Sequence, residues 1–492
     1  MVTSSEYIKP QVSTTVPGRK ARQIMEADER VTSTSYTRPY PLVVESARGV
    51  WVRDVDGNVF LDCNAGVAVC ATGHCHPEVV RAIQEQSEQL IHMCGADYFY
   101  PILASLATKL TEISPVPSPA RALFTNSGTE SMEAALKLAM YSTGRTKFIA
   151  FFDSFHGRTL GSLSLTSSKP VQRNGFGRQA LDVTHVPYAF CNHCPFGASR
   201  TSLGGCCLGS LEWIEERLFK TTVPPEECAA IVVECVQGEG GYVPAPREFL
   251  LGLRRICDRH GILLIVDEVQ SGMGRTGRMF ACDHYGLEPD ILCLAKGIAS
   301  GLPLGVCIAR AEVMNWPPGA HASTFGGNPV AIAAALKTIE LLERELIANS
   351  REVGKYIENG LRQLMSKHRS IRDVRGLGMM LGVEFGADSN SDMSSGQLAE
   401  RVASEAFRRG LILLTAGKST IRWSPPLILT REQAAVALEI FDEAIAAAAV
   451  DSESGENHSA LEPSASPGAG CSAYFSRNSH YTVPMAEEWV NG

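Results

Sequence analysis

The chain has 492 residues, 45% of them hydrophobic, which is enough for a large domain plus a smaller one, each with its own core. Its 45 lysine and arginine residues stand against 53 aspartate and glutamate residues. The resulting net charge of −8 excludes a basic footprint for nucleic acid and an electrostatic pull toward anionic membranes. The apolar runs are strand-sized and residues 1–30 hold no signal-peptide stretch, so we expect a cytoplasmic protein.

The N-terminal segment is predicted to be an arm followed by part of a small domain. Residues 1–38 are expected to form an N-terminal arm, of which the first thirty residues are loosely held, and residues 39–90 to contribute to the small domain. Short antiparallel strands are expected from Tyr40 to Cys63, because Asp56-Gly57 makes a hairpin turn after an alternating segment. Apolar residues spaced three and four apart predict helices over 78–90 and 102–113.

Residues 91–328 are predicted to form a large domain in which buried strands alternate with helices. The predicted strands are 122–125, 148–152, 231–234, 262–267, 291–296 and 306–309. The helices between them include 130–142, 208–219 and 246–260. Continuous apolar strands that alternate with helices indicate an α/β fold with a parallel or mixed sheet covered on both faces.

Residues 329–450 are predicted to complete the small domain as an α+β unit. The expected elements are a helix at 329–345, a strand at 379–385, and helices at 397–409 and 431–448. Residues 451–492 are rich in serine, glycine, proline and glutamate and poor in aliphatic residues. Such a composition buries too little apolar surface to order a chain, so a disordered tail is expected there.

Three predicted strands end in a charged residue that follows directly on an apolar run: Glu234, Asp267 and Lys296. Ligands in an open α/β sheet bind beyond the carboxyl ends of the strands, so these side chains are expected to meet in one site. Each alone has a structural explanation, an acid that caps the next helix or a lysine that reaches solvent. The combination of the three favours a functional site.

A lysine held at a strand end inside the protein predicts nucleophilic chemistry. Burial disfavours the ammonium form, and a neutral amine can attack an aldehyde to form a Schiff base. The carboxylate of Asp267, placed beneath an aromatic nitrogen heterocycle, would keep that ring protonated, which a carbanion-stabilising electron sink needs. Lys296 and Asp267 are therefore the candidate catalytic residues.

The turn Thr125-Asn-Ser-Gly-Thr-Glu130 is a candidate phosphate site. A predicted strand ends there and a helix begins, so free N–H groups and the positive end of the helix dipole point toward any anion bound there. A Ser-Gly-Thr-Glu segment is also a common capping box, which is the structural alternative for Ser127, Gly128 and Thr129. In company with the lysine and the aspartate, we interpret the turn as a phosphate cradle.

Six motifs follow one another between about Pro39 and Ala448: Ser127-Gly-Thr-Glu, Phe155-His-Gly-Arg, Glu234-x-x-Gln-Gly-Glu-Gly-Gly, Asp267-Glu-Val-Gln-Ser-Gly, Ala295-Lys-Gly and Thr324-Phe-Gly-Gly-Asn-Pro. In this order they resemble the class III pyridoxal-phosphate aminotransferases, which include the 4-aminobutyrate, ornithine and acetylornithine aminotransferases. The resemblance implies fold type I, with a mostly parallel seven-stranded sheet covered by helices and a smaller α+β domain from the N- and C-terminal segments. It also implies pyridoxal 5′-phosphate as the cofactor.

The resemblance assigns roles around the cofactor. Lys296 would hold the cofactor aldehyde covalently and then move a proton, while Asp267 would pair with the pyridinium nitrogen. Gln270 would hydrogen-bond the ring hydroxyl, and Val269 and Phe155 would cover the two ring faces. The residues implied to bind the cofactor are Ser127, Gly128, Thr129, Phe155, His156, Glu234, Asp267, Val269, Gln270, Lys296 and Thr324.

Thr324 implies an assembly of subunits. In the family this residue reaches the phosphate of the neighbouring subunit, so a homodimer with shared active sites is expected, and a tetramer is the alternative assembly. A simple turn is the structural alternative for the Thr-Phe-Gly-Gly-Asn segment. The other expected partners are a small amino donor and a keto-acid acceptor, with no nucleic acid and no membrane.

Three residues are implied to bind the substrate. Arg422 matches the family's carboxylate-binding arginine, whose planar fork suits an amino-acid or keto-acid carboxylate. A glutamate equivalent to Glu239 shields that arginine in the family, so that one pocket accepts both an ω-amino donor and glutamate. Arg158 matches a second carboxylate-binding position of 4-aminobutyrate enzymes, with a structural salt bridge as its alternative. The set predicts an ω- or α-amino donor and 2-oxoglutarate as acceptor, in a ping-pong mechanism.

Cysteines account for the departures from the family pattern. Cys235 stands where the family usually has proline, which removes no functional group. Cys191, Cys194, Cys206 and Cys207 lie in an insertion that could hold zinc, but the adjacent second pair makes tetrahedral ligation awkward, so no metal is expected. The fifteen cysteines of the chain are expected to be buried, reduced thiols rather than disulfides.

Two other functions stay open at this stage. A similar insertion occurs in prokaryotic relatives that include amino-acid racemases or epimerases, and a racemase on this fold would need Lys296, Asp267 and the phosphate site as well. The two arginines implied to bind the substrate favour transamination. A non-catalytic scaffold is the third alternative, and retention of both Lys296 and Asp267 argues against it.

Overall fold

The computed structural model describes residues 7–177, 180–196, 208–386 and 393–454. The strands, in chain order, are β1 (Val44–Arg48), β2 (Trp51–Asp54), β3 (Val59–Asp62), β4 (Ala120–Thr125), β5 (Lys147–Phe151), β6 (Asp182–Val186), β7 (Cys228–Val233), β8 (Val236–Gln237), β9 (Val243–Pro244), β10 (Leu263–Asp267), β11 (Ile291–Leu294), β12 (Gly305–Arg310), β13 (Ile371–Leu377), β14 (Met380–Phe385), β15 (Leu411–Ile412), β16 (Leu414–Ala416) and β17 (Thr420–Trp423). The helices are α1 (Arg19–Glu29), α2 (Ala65–Ala68), α3 (Pro77–Gln89), α4 (Pro101–Ile113), α5 (Gly128–Thr143), α6 (Leu160–Leu165), α7 (Gly209–Glu212), α8 (Arg247–His260), α9 (Pro329–Leu341), α10 (Ile347–Lys367), α11 (Ser395–Arg408) and α12 (Arg431–Ser454).

The largest sheet has seven strands in the order β4-β12-β11-β10-β7-β5-β6. The strands from β11 to β6 pair in parallel, whereas β12 is antiparallel to both of its neighbours. Successive residues of β7 point into different cores: Ile231 and Val233 lie in one apolar cluster, and Ala230 and Val232 in another. This confirms the predicted mostly parallel, seven-stranded sheet with helices on both faces.

The six strands predicted for this sheet are present, with bounds that differ by up to three residues. The seventh, β6, was not predicted. It is an edge strand with the sequence Asp-Val-Thr-His-Val, and it is exposed at its start because it pairs with only one neighbour. An edge strand is paired on one side and needs fewer apolar residues, so the apolar pattern of β6 was too weak to identify the strand.

The small domain combines the N- and C-terminal segments, as the resemblance implied. β15 pairs in parallel with β3, which ties the two ends of the chain into one sheet. A second, antiparallel sheet has the order β13-β14-β17-β16, and it packs against α10 and α11, which in turn contact α12. The proposed domain boundaries at residues 38, 90, 328 and 450 stay predictions.

The segment expected to be a loosely held arm is ordered from residue 11 to the end of α1. Gln11 and Val59 exchange backbone hydrogen bonds at 2.8 and 2.9 Å. The N–H groups of Lys20 and Ala21 each donate to the Asp56 carboxylate at 3.0 Å, which satisfies the free N–H groups at the start of α1. These contacts attach the stretch to the small domain, and the arm at residues 1–38 stays a prediction. Ala21 is the one buried residue of α1, so apolar spacing carried no signal for this helix.

Two helices extend beyond their predicted bounds. A π-helical segment, Leu342–Leu346, joins α9 to α10, so the helix predicted at 329–345 continues to Lys367. Helix α12 reaches Ser454, and the rest of the predicted tail lies outside the described residues. No helix within the described ranges combines the length and apolar character that a membrane crossing requires. The cysteines that are buried as free thiols are Cys63, Cys228, Cys235, Cys257, Cys282, Cys293 and Cys307.

Candidate active site

Three charged side chains meet at the carboxyl ends of neighbouring strands, as predicted. β10 pairs in parallel with β7 on one side and with β11 on the other. Glu234 follows the last residue of β7, Asp267 ends β10, and Lys296 lies two residues beyond β11. The backbone of Lys296 has a φ of 43°, in the left-handed region that a lysine occupies only where the surrounding structure holds it. The sheet therefore brings an amine and two carboxyl groups to one edge.

Burial and neighbouring charges control the protonation of the Lys296 amine. Burial lowers the pKa of Lys296 below its ordinary value of 10.5, although the carboxylates of Asp267 and Glu239 act in the opposite direction. The positive charge of Arg422 lowers this pKa further. More of the neutral amine is then available to attack an aldehyde carbon.

Asp267 is held by two hydrogen bonds at the bottom of the site. Its Oδ2 lies 2.7 Å from His156 Nδ1, and its Oδ1 accepts a hydrogen bond from the Val269 N–H at 2.9 Å. Burial opposes the charged imidazole of His156, but Asp267 outweighs burial and raises the pKa of His156. The structure thus places His156 against Asp267, and a direct contact of His156 with the cofactor stays a prediction.

Glu234 ties two loops of the site together. Its Oε1 accepts a hydrogen bond from the Gly238 N–H at 3.0 Å, and its Oε2 accepts one from the Phe155 N–H at 3.3 Å. Burial raises the pKa of Glu234 to about 7, although the nearby His156 opposes the rise. Glu234 therefore positions Phe155, the residue implied to cover one ring face.

The turn at Ser127 has features of both interpretations made from the sequence. Ser127 is the N-cap of α5, and its hydroxyl accepts a hydrogen bond from the Glu130 N–H at 3.3 Å, as a capping residue does. The Thr129 hydroxyl bonds two other hydroxyl groups, at 2.7 and 2.8 Å. A Cβ built on Gly128 would lie 2.7 Å from Val269 Cγ1, so glycine lets the start of α5 approach Val269, which is implied to cover one ring face. The N–H groups at this end of the helix suit a phosphate.

The remaining residues implied to contact the cofactor differ in their exposure. Gln270 Oε1 is buried and accepts no hydrogen bond from the described residues, so a hydroxyl donor is missing at this point. Phe155 is half-buried. Thr324 is exposed on the single chain, next to Phe325, whose side chain is 63% exposed.

Arg422 and Glu239, two of the residues implied to bind the substrate, form a buried ion pair. Arg422 lies on β17 and is 6% exposed, and its Nη1 donates to Glu239 Oε1 at 2.6 Å. Burial acts to raise the pKa of Glu239, but Arg422 outweighs it and lowers that pKa below the usual 4.5. The fold thus joins two residues that are 183 positions apart in the chain.

Arg158 is exposed, and the carbon of its guanidinium group lies 6.0 Å from the centre of the Phe155 ring. It forms no ion pair with another residue of the described ranges, so the salt-bridge alternative has no support there. An exposed guanidinium group beside Phe155 suits a substrate carboxylate, and this role of Arg158 stays a prediction.

Two further residues contribute to the site without having been singled out from the sequence. Arg375 donates to the Gly241 carbonyl through Nε at 3.0 Å and Nη2 at 2.8 Å, which steadies the loop that carries Glu239. Burial acts to raise the pKa of Glu239, and Arg422 lowers it. The positive charge of Lys169 lowers this pKa further. Neither residue belongs to a motif, and long-range contacts of this kind leave no local pattern.

These groups fit pyridoxal 5′-phosphate on observations from the chain itself. The amine of Lys296 would hold the aldehyde, the anchored carboxylate of Asp267 the ring nitrogen, the orphaned oxygen of Gln270 the ring hydroxyl, and the start of α5 the phosphate. A site of this kind at one edge of this seven-stranded sheet defines a pyridoxal-phosphate-dependent enzyme of fold type I.

Comparisons with known proteins identify the family. The family model for class III aminotransferases matches residues 32–445. The alanine/serine racemase of Pyrococcus horikoshii is 36% identical over 442 residues, which cover 89% of this chain and 92% of that protein. The 5-aminovalerate aminotransferase DavT of Pseudomonas aeruginosa is 37% identical, with 82% and 94% covered. The PLP-bound amine transaminase of an uncultivated Pseudomonas species superposes with a TM-score of 0.77 at 30% identity, covering 85% of this chain and 97% of that one.

The chain therefore belongs to the class III aminotransferase family, and it is an enzyme that uses pyridoxal 5′-phosphate.

Proposed function

We propose that this enzyme moves an amino group from an ω-amino acid of the 4-aminobutyrate or ornithine type, or from an α-amino acid, to 2-oxoglutarate. The transfer takes place in two half-reactions of a ping-pong mechanism. The observation that carries this proposal is the buried pair of Arg422 and Glu239, 2.6 Å apart. A guanidinium group covered by a carboxylate that can swing away is a carboxylate site that opens or closes with the substrate.

The pair would let one pocket serve two kinds of substrate. The reacting amine of an ω-amino donor lies on a carbon that has no carboxylate next to it, so Glu239 stays on Arg422 and neutralises it. The distal carboxylate of the donor then binds Arg158, the exposed cation beside Phe155. 2-Oxoglutarate carries a carboxylate next to its carbonyl, so Glu239 leaves and Arg422 binds this group through its planar fork.

Lys296 would move the proton that transamination requires. When bound, the cofactor supplies the electron sink that stabilises negative charge at the amine-bearing carbon of the substrate. Lys296 removes a proton from that carbon as a neutral amine, the form that its burial favours. Asp267, kept in place by His156 and the Val269 N–H, would face the ring nitrogen of the cofactor.

A homodimer is part of this proposal, with a tetramer as the alternative. Thr324 and Phe325 are exposed, and the ring of His92 lies 5.1 Å from that of Phe325. The flanking Ile91 is 65% exposed, and Phe99 is fully exposed. A second copy of the chain would cover this apolar surface and bring its Thr324 to the phosphate. A cytoplasmic location likewise stays a proposal that rests on composition.

Hybrid dimers would test the shared site. A Lys296→Ala subunit paired with a Thr324→Ala subunit has one site with both changes and one site with neither, if Thr324 acts on the partner's phosphate. Such a hybrid should recover close to half of the wild-type activity, although each homodimer is impaired. A hybrid no more active than the Thr324→Ala homodimer would place Thr324 in its own subunit's site.

The reaction itself is tested with a panel of amino donors, including 4-aminobutyrate, ornithine and alanine, against 2-oxoglutarate and pyruvate. The proposal expects turnover that depends on the keto acid, with the highest kcat/KM for an ω-amino donor and 2-oxoglutarate. Addition of the donor alone should convert the cofactor absorbance to that of the pyridoxamine form. If pyruvate were the one keto acid that supported turnover, and α-amino acids the one class of donor, the assigned substrate classes would be contradicted.

A racemase is the second candidate, and the observation that favours it is the 36% identity to the alanine/serine racemase. Lys296 would then exchange a proton on one face of the substrate carbon and a second group on the other. A racemase returns to its starting absorbance after a single amino acid is added, and it inverts the chirality of that amino acid. Chiral chromatography of the reaction mixture without any keto acid separates the two functions.

A further inference from the structure

The loop that carries Glu239 passes over the antiparallel sheet of the small domain. Arg375 on β13 pairs with Gly382 on β14, and Gly382 pairs in turn with Arg422 on β17. Residues that pair directly across antiparallel strands project from the same face of a sheet, so the two arginines stand on one face with a glycine between them. A Cβ built on Gly382 would lie 2.9 Å from the Gly241 carbonyl oxygen, so this glycine leaves the space that the loop occupies.

The two arginines hold different parts of this loop. Arg422 Nη1 donates to the Glu239 carboxylate at 2.6 Å. Arg375 donates to the Gly241 carbonyl through Nε at 3.0 Å and through Nη2 at 2.8 Å. The Glu239 carbonyl accepts a hydrogen bond from the Gly417 N–H at 2.7 Å, so two backbone carbonyls beside the Glu239 side chain are fixed. The Glu239 carboxylate can therefore turn about its own side-chain bonds while its backbone stays in place.

Arg375 is itself fixed from several directions. Its Nη1 donates to Asp373 Oδ2 at 2.9 Å and also to Glu384 Oε2. Its Nη2 donates to Thr420 Oγ1 at 2.9 Å, and the side chain is 10% exposed. Because the guanidinium group is a rigid plane, two carboxylate partners and a hydroxyl acceptor fix its orientation. The nitrogen atoms that bond the loop are therefore held in place.

The insertion that the sequence singled out for its cysteines begins beside Arg375. The guanidinium carbon of Arg375 lies 4.8 Å from the centre of the Phe190 ring, and this ring lies 4.9 Å from that of His193. His193 Nε2 lies 2.5 Å from Glu384 Oε1, on the carboxylate whose other oxygen binds Arg375. The start of the insertion is therefore part of the surroundings that fix Arg375.

We propose that Arg375 is a positioning residue for the gate that Glu239 and Arg422 form. With the Gly241 carbonyl fixed, Glu239 returns to Arg422 each time an ω-amino donor takes the place of 2-oxoglutarate. A loop released from Arg375 adopts other positions, and the fraction of molecules in which Glu239 covers Arg422 falls accordingly. Arg375 thus acts on the choice between the two substrates through Glu239. The inference rests on the proposed function, since it assigns Arg375 a part in the same gate.

Arg375→Lys tests this role, because lysine keeps the positive charge but lacks the planar fork that bonds Gly241 through two nitrogens. Single-turnover spectra of the holoenzyme follow each half-reaction. The half-reactions with 4-aminobutyrate and with ornithine should slow by about fivefold, whereas the half-reaction with 2-oxoglutarate should change by less than about twofold. Arg431→Lys, at the exposed arginine over the Tyr356 ring, is the matched control and should change none of these rates.

A double variant separates positioning from a general structural effect. Since Arg375 acts through Glu239, Arg375→Lys should slow the donor half-reactions no further once Glu239→Gln is present. Losses that multiply in the double variant show that Arg375 acts by another route and overturn the inference. Equal slowing of the donor and 2-oxoglutarate half-reactions in Arg375→Lys overturns it as well.

Amide hydrogen exchange of the resting holoenzyme tests the loop without any substrate. The N–H groups of Gly241 and Tyr242 donate to the Gly238 carbonyl at 3.3 and 3.4 Å, so their exchange reports on this loop. Arg375→Lys should raise their exchange rate by about threefold or more. Unchanged exchange overturns the inference and leaves the proposed function standing. Turnover of neither ω-amino donor by the wild type overturns the proposed function, and the role of Arg375 falls with it.

Discussion

The residues expected to hold the cofactor, here called the cofactor half of the site, differ in their construction from the residues proposed to bind the substrate, here called the substrate half. In the cofactor half, Glu234, Asp267 and Lys296 follow three neighbouring strands of one buried sheet, and hydrogen bonds hold the two carboxyl groups. In the substrate half, Glu239 lies in a loop of the large domain and Arg422 on a strand of the small domain, 183 residues away. Arg158, the second arginine proposed to bind the substrate, is exposed.

The difference shows where a fold of this kind can vary. The strand ends are set by register in a close-packed sheet, so a shift of any one of them would disrupt the core. The substrate groups come from loops and from a second domain, where changes leave the sheet untouched. The residues proposed to select the substrate thus lie outside the seven-stranded sheet, where a substitution can leave the cofactor site in place.

The largest effect is expected at the strand end that carries the amine. Lys296→Ala should lower kcat by about 10²- to 10⁴-fold, the usual contribution of a general base. The variant should also lose the visible absorbance of the covalently held cofactor. Absorbance spectra and steady-state kinetics measure both changes, and circular dichroism checks that the variant is folded. Persistence of the absorbance band would mean that another lysine holds the cofactor.

A smaller loss is expected on the substrate side. Arg422→Ala removes the proposed partner of the 2-oxoglutarate carboxylate, so kcat/KM for 2-oxoglutarate should fall by about 30-fold or more, which corresponds to roughly 2 kcal/mol. The cofactor absorbance should stay unchanged, because Arg422 belongs to the other half of the site. Arg431→Ala, at an exposed arginine over the Tyr356 ring, is the control and should keep wild-type kinetics. Equal losses in both variants would argue against a substrate role for Arg422.

The two half-reactions should respond differently to Glu239→Gln. The neutral amide no longer compensates Arg422 when an ω-amino donor is bound, so the donor half-reaction should slow by about tenfold, or 1.4 kcal/mol. The half-reaction with 2-oxoglutarate should change less, since Glu239 has moved away from Arg422 in that step. Single-turnover spectra of the two half-reactions measure the ratio. Slowing of both by the same factor would remove the case for a gate at Glu239.

The smallest effect concerns stability in the cofactor half. Because the pKa of Glu234 is raised to about 7 in the folded protein from an ordinary 4.5, the folded state binds a proton more tightly. The free energy of unfolding should therefore fall as the pH rises from about 4.5 through 7, and the raised pKa of His156 acts in the same direction.

Glu234→Gln should make this pH dependence shallower in denaturant unfolding of the holoenzyme. Glu226→Gln, at an exposed glutamate, is the matched control and should keep the wild-type slope. An unchanged slope in Glu234→Gln would show that the carboxyl group of Glu234 is not the titrating group.

Much of the fold could be predicted because its elements carry local patterns. Apolar runs identified six of the seven sheet strands, and the charged residues at their ends pointed to the site. The missing strand, β6, is held by its pairing along one edge. Helix α1 is held by a distant cap, Asp56. Neither element shows regular apolar spacing in the sequence. The turn at Ser127 was open to two interpretations; its geometry is that of a helix cap, and its role as a phosphate cradle stays a prediction.

The sequence by itself determined the alternation of strands and helices and the chemical groups at the strand ends, because periodicity and strand termination are encoded within a few neighbouring residues. Only the tertiary structure decided which side chains touch, among them His156 with Asp267 and Arg422 with Glu239. The physical reason is that such contacts depend on strand order, register and domain packing, and the residues they join carry no mark of one another in the chain.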